Sequence, residues 1–207
     1  MRVISFTGSP ETGLKVYTKA ATLGKKVALE MGGKNAIIVM DDANLELAVK
    51  AITWSAYGTT GQRCTATSRL IVQRGILGAL TDALAEKAAT LRVGYGLEDG
   101  VEVGPLVNQK ALDKVEKYVS VGREEGATLA FGGTRAADKG FFYAPTLFTN
   151  VNRNMRIARE EIFGPVLSLV PVASLEEAVE VNNSVAYGLS SSIFTENINQ
   201  AFRAIRD

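Results

Sequence analysis

At 207 residues the chain suits one large domain or two small ones, and its 46% hydrophobic and 22% charged residues match globular averages. A net charge of +1 gives no electrostatic grip on nucleic acid or an anionic membrane, and no apolar run approaches the roughly 20 residues that span a bilayer. One cysteine and no histidine exclude an internal disulfide, a zinc cluster and a Cys–His pair within the chain.

The N-terminal Met1-Arg2-Val3-Ile4-Ser5-Phe6 lacks the h-region of a signal peptide, so a soluble, cytoplasmic protein is expected. Val3 to Phe6 reads as a buried strand running into Thr7-Gly8-Ser9-Pro10. Ser9 suits an N-cap, with Pro10 at the first helical position and Glu11 in the first turn, and the helix should run to about Ala21. A strand, a glycine and a helix start can bind phosphate through free N–H groups and the helix dipole, and can equally be an ordinary helix entry. Lys26 to Glu30 is a second strand, stopped by Gly32-Gly33. Glu30 is either a functional carboxylate at a strand end or an exposed end residue.

Ala36 to Met40 reads as a strand buried on both faces. Asp42 is the expected cap of a helix striped by Leu45, Val49, Ile52 and Ala56, ended by Gly58. The loop Gly61-Gln62-Arg63-Cys64-Thr65 follows, small and polar, with Arg63 able to stabilise a Cys64 thiolate; a lone buried cysteine is the plain alternative. A strand around Leu70-Ile71-Val72, a helix from after Gly75 to about Leu91, and a glycine-rich connection through Gly104-Pro105-Leu106 come next. A helix over Gln109 to Glu125 should bury Leu112, Val115 and Val119. Ala127 to Phe131 reads as a strand, and Pro145 makes Tyr143 to Phe148 extended. After Glu160-Glu161-Ile162-Phe163-Gly164-Pro165 come a strand over Val166 to Val170 and a helix capped by Ser174 with Glu177 as its capping-box partner. A strand over Ser190 to Phe194 and a helix from Asn197 finish the chain. The alternation predicts an α/β fold with a mainly parallel sheet flanked by helices.

Six stretches in register resemble the aldehyde dehydrogenase superfamily: Phe6-Thr7-Gly8-Ser9, Leu29-Glu30-Met31-Gly32-Gly33-Lys34-Asn35, Gly61-Gln62-Arg63-Cys64, Gly104-Pro105-Leu106, Pro145-Thr146-Leu147 and Glu161-Ile162-Phe163-Gly164-Pro165. Met31 departs from the usual second leucine of the glutamate motif. The resemblance implies that residues 1–32 are the last strand-helix-strand of a dinucleotide-binding domain and that 33–207 are the catalytic thiol domain, truncated at its C-terminal end. The rest of the cofactor domain, an oxyanion-hole asparagine and a C-terminal tail would lie outside the chain.

The same resemblance implies NAD or NADP as cofactor, a small-molecule aldehyde as substrate, no metal, and a homo-oligomer (dimer or tetramer) at full length. Cys64 would attack the aldehyde to give a thiohemiacetal, hydride would pass to NAD(P)+, and Glu30 would be the general base for hydrolysis of the resulting thioester. Gly8 and Ser9 would lie near the pyrophosphate, Gly32 and Gly33 would let backbone approach the nicotinamide, and Glu161 would hold its ribose. Phe163 would pack against the ring or simply in the core, and Lys34 is expected to be structural. Because branches that acylate coenzyme A generally lack the glutamate, Glu30 favours release of a carboxylate. Arg63 resembles the position that holds the distal carboxylate in semialdehyde-oxidising branches, with solvent or a neighbouring loop as its other destination. Two other readings stay open, an inactive isolated module and a cofactor-independent thiol esterase.

Overall fold

The computed structural model describes residues 1–207, which form two compact units, Met1–Gly33 and Lys34–Asp207. In the first, β1 (Val3–Thr7) and β2 (Lys26–Glu30) pair in parallel from Val3↔Lys26 to Thr7↔Glu30, joined by α1 (Pro10–Ala21). Ser9 caps α1 through its hydroxyl, as expected. Val3–Phe6 is not a buried strand within this unit: Ile4 and Phe6 are half-buried while Val3, Ser5 and Thr7 are exposed. One helix on a two-stranded ribbon covers only one of its faces.

The second unit carries β3 (Asn35–Val39), α2 (Leu45–Tyr57), β4 (Thr67–Gln73), α3 (Leu77–Thr90), α4 (Gln109–Glu124), β5 (Thr128–Phe131), β6 (Thr146–Thr149), α5 (Arg156–Arg159), β7 (Val166–Val172), α6 (Leu175–Asn182), β8 (Ser191–Phe194) and α7 (Ile198–Arg206). Its six-stranded sheet has the order β5-β6-β7-β4-β3-β8, parallel throughout except for β5 against β6. The mainly parallel α/β sheet expected from the alternation is therefore present. Period-two alternation divides the core into two layers. Ile37 and Val39 of β3 and Leu70 and Val72 of β4 pack with Ile52, Tyr57, Leu80 and Leu84 from α2 and α3. Ala36, Ile38 and Ile71 face the other way, toward Leu112, Val115 and Val119 of α4 and Ala178 of α6. No helix is long and apolar enough to cross a membrane.

Two local readings need correction, and one short element was not foreseen. The cap of α2 is Asn44, whose side chain accepts from the Leu47 N–H at 3.0 Å. Asp42, the expected cap, instead accepts from the Thr195 hydroxyl at 2.8 and 2.9 Å. The strand expected to end at Val170 continues through Pro171. The Leu169 carbonyl accepts from Val151 beyond β6, and that of Val172 accepts from Arg74 beyond β4, so alternation turns position 171 toward β6. There β6 has already ended, its register covering only Val166–Ser168, and a missing N–H leaves no ladder acceptor unmet. The third difference is the four-residue α5, too short to show a helical period in the sequence.

Candidate active site

The cysteine loop joins the end of α2 to β4. Thr60 and Gly61 both take left-handed backbone angles, φ 55 and 67. Thr60 donates its hydroxyl to the Gly104 carbonyl at 2.9 Å. The Gln62 amide donates to the Pro105 carbonyl at 3.1 Å and accepts from the Val107 N–H at 2.9 Å. Gly61 presses on the Gly164 carbonyl so closely that a Cβ there would lie 2.1 Å from the oxygen. Three of the sequence motifs thus meet in space, and two of them hold the third in shape.

Cys64 is a free, half-buried thiol in this pinned loop. Its carbonyl accepts from Asn35 Nδ2 at 2.6 Å, and the same amide nitrogen donates to Ala66 at 3.1 Å. Asn35 Oδ1 accepts from the Ser190 N–H at 3.1 Å. Asn35, 4% exposed, therefore ties the cysteine loop to β3 and to the segment before β8. Sequence reading quoted Asn35 without giving it this role. The available signal was an amide inside a strand that is otherwise apolar.

Arg63 does not extend into open solvent. Its guanidinium lies over the Trp54 ring, 4.3 Å from the centroid, a cation–π contact on a tryptophan that is itself 65% exposed. Arg69 is a second unforeseen element: 2% exposed, it donates to the carbonyls of Lys34, Val181 and Asn182 at 3.0, 2.9 and 3.0 Å. Lys34, expected to be structural, is buried, and burial, followed by the charge of Arg69, pushes its amine down to about 7.

The adjacent glutamates have different surroundings. Glu160 is gripped by the Arg156 fork at 2.9 and 3.0 Å and by the Tyr118 hydroxyl at 2.5 Å. These bonds, Arg156 first, hold its carboxyl down at about 2. Glu161 instead lies within electrostatic reach of Lys34, Lys114 and Tyr187. Between Glu161 and Phe163, Ile162 is anchored in the core at 2% exposure. Phe163 takes φ 62 and is 41% exposed, so its ring is not a core side chain within this chain. A bulky residue held in the left-handed region stores strain, which clusters at ligand-binding sites.

Glu160 yields a pH prediction. Its carboxyl is lower in the folded protein than the ordinary value near about 4.3, so its stabilisation is complete above that value and is lost as the pH falls toward 2. The side chain is 42% exposed, and screening limits the effect to about 1 kcal/mol. Glu160→Gln should lower the neutral-pH melting temperature by about 2–4 °C, with the gap to the parent closing as the pH nears 2. Melting curves across the acid range check this.

In the first unit Glu30 is exposed at the end of β2, and its carbonyl accepts from the Gly8 N–H at 3.0 Å. At the start of α1 the Ser9 hydroxyl and carbonyl take the N–H groups of Thr12 and Gly13, and Pro10 has none. The N–H groups of Ser9 and Glu11 remain at the positive end of the helix dipole, a donor set that fits a phosphate diester. Gly32 is half-buried and Gly33 buried. In the second unit, the Glu161 carboxylate suits ribose hydroxyls and the exposed Phe163 ring suits a flat aromatic ring. Each unit by itself thus carries groups of the kind that part of a dinucleotide requires.

The profile of the aldehyde dehydrogenase family matches residues 1–207. The alpha-ketoglutaric semialdehyde dehydrogenase of Bacillus subtilis is 43% identical over 204 residues, 97% of this chain and 42% of that protein. Among solved structures, betaine aldehyde dehydrogenase from Staphylococcus aureus in complex with NAD+ superposes with a TM-score of 0.95 at 37% identity, covering 100% of this chain and 42% of that one. The NAD-dependent aldehyde dehydrogenase from Sinorhizobium meliloti gives 0.97 at 40% identity, with 100% and 41% covered. The chain thus spans somewhat less than half the length of these relatives.

Proposed function

The chain belongs to the aldehyde dehydrogenase family, and from that premise we propose that it is the thiol-bearing part of a longer enzyme that oxidises an aldehyde to a carboxylic acid with NAD(P)+. The observation that carries this reading is the cysteine loop. The chain's one thiol stays half-accessible while Gln62, Asn35 and the Gly61–Gly164 contact immobilise the backbone on both sides of it. A fixed nucleophile approaches a carbonyl without first losing loop entropy. The NAD+ in the staphylococcal neighbour supports the cofactor.

In this reading the Cys64 thiolate adds to the aldehyde carbonyl, and its own backbone N–H helps hold the oxyanion. The dinucleotide, when bound, supplies the acceptor for the hydride lost from that adduct. Glu30 takes a proton from the water that cleaves the thioester, freeing the acid and restoring the thiol. Ser9 binds the pyrophosphate with Gly8 beside it, Gly32 and Gly33 give backbone room beside the nicotinamide, Glu161 holds its ribose, and Phe163 borders the ring. Residues 1–33 are then the end of a dinucleotide-binding domain. The test is product analysis: a polypeptide of the relatives' length should form NAD(P)H and acid in equal amounts, and the chain alone neither. Ester turnover without dinucleotide as the sole activity would overturn the proposal.

We further propose a carboxylate-bearing semialdehyde as substrate, in keeping with the name of the Bacillus relative. Stacked on Trp54, Arg63 has a restrained guanidinium, with one face on the indole and its N–H edge able to fork onto a distal carboxylate. Arg63→Ala should raise the KM for a dicarboxylic semialdehyde about tenfold, the effect of one lost charge-assisted contact, and leave that for a neutral aldehyde unchanged. An unchanged ratio of the two would end the assignment.

A further inference from the structure

A second polar centre lies apart from the thiol. Lys34 is 2% exposed, and its Nζ has no hydrogen-bond partner. It lines an open cavity of about 320 Å³ together with Arg69, Asn182, Asn183, Ser190 and Ser191, and no aspartate or glutamate lines it. A buried amine with no acceptor is costly in either protonation state, so such groups in native structures call for an explanation.

The donor count points the same way. Arg69 gives one N–H to each of three backbone carbonyls, leaving two of a guanidinium's five unspent. Asn183 gives its amide nitrogen to the Asp207 carbonyl at 3.2 Å, leaving a second hydrogen. Two cationic groups and several spare donors around a void without an anion match an acceptor with two oxygens. The volume suits an acid of a few carbons. We propose that this cavity binds a small carboxylate, paired with the Lys34 ammonium and received by the amides and hydroxyls of Asn182, Asn183, Ser190 and Ser191. Cys64 does not line the cavity, so the proposal stands whether or not that thiol is the nucleophile.

Binding should carry a proton with it. Burial, Arg69 and Lys114 lower the Lys34 amine to about 7, against the opposing pull of Glu161 and Glu160, and Tyr187 also lines the cavity. A carboxylate at Nζ raises it again, so at about pH 8 complex formation takes up most of one proton.

The experiment is calorimetric titration of the 207-residue chain with glutarate, and with glutaramide as the uncharged control, in two buffers of different ionisation heat. The expected result is saturable glutarate binding with a buffer-dependent heat and none with glutaramide. Lys34→Met should weaken binding at least about tenfold, as loss of a buried charge partner does. Lys34→Arg should bind without the buffer dependence, since a guanidinium stays protonated. Ser191→Ala, at an exposed rim position that cannot unfold the unit, should weaken binding a few-fold and decides the matter if Lys34→Met fails to melt cooperatively. Absence of saturable binding, equal affinity in Lys34→Met, or a buffer-independent heat in the parent would overturn the proposal.

Discussion

Cys64→Ala is expected to cut aldehyde oxidation by the longer polypeptide about 10⁴-fold or more, whereas Glu30→Gln should still deliver the first equivalent of NAD(P)H and then stall. The two substitutions separate because the proposed mechanism sets the residues on opposite sides of hydride loss. Without the thiol no covalent adduct forms, and the remaining binding contacts cannot replace a bond. Without the carboxylate the thioester forms but water attacks it unaided, and a general base is worth about 10²–10⁴-fold. A stopped-flow trace of NAD(P)H reads both at once. Glu30→Gln should give a burst near one equivalent followed by a slow phase, and Cys64→Ala neither. If the Glu30 variant lost the burst together with turnover, the carboxylate would belong to the first half of the reaction.

Gly61→Ala should be the most damaging single methyl in the cysteine loop. Two separate costs coincide there. The residue takes φ 67, where a Cβ costs about 1–2 kcal/mol. The Cβ would also sit 2.1 Å from the Gly164 carbonyl, a backbone atom that cannot rotate away, and overpacking of this kind costs about 1–3 kcal/mol. Together they predict a loss of about 2–5 kcal/mol, or a melting temperature lower by about 5–15 °C for a protein of this size. Activity should fall further than stability, because relief of the clash moves Cys64 three residues away. Gly78→Ala, with nothing within 4 Å of the added carbon, is the matching control and should melt no lower than the parent.

Much of the fold was readable because its elements repeat: the apolar run of β3 and the stripes of α2 and α4 each carry several turns or a full strand of signal. The errors fell where one residue decides. Asp42 and Asn44 are both competent caps; Asn44 takes the role, while Asp42 accepts from Thr195, 153 residues away in sequence. The strand read as ending at Val170 runs on through Pro171 to Val172, because the neighbouring β6 has already ended there. The site divides in the same way. Cys64 is conspicuous as a unique thiol among small residues, whereas Asn35 gains its importance from partners 29 and 155 positions along the chain. Arg156 stands four residues before Glu160, a local signal for that pair, but the Tyr118 contact that completes the grip comes from 42 residues away.

That Cys64 carries the substrate is the central claim, and its most direct test is the mass of the peptide containing Cys64. During turnover of the Glu30→Gln enzyme with an aldehyde and NAD(P)+, acid quenching and digestion should yield that peptide increased by the acyl group of the substrate, with the increment removed by hydroxylamine. An unmodified Cys64 peptide, recovered while NAD(P)H is still being formed, would contradict the claim.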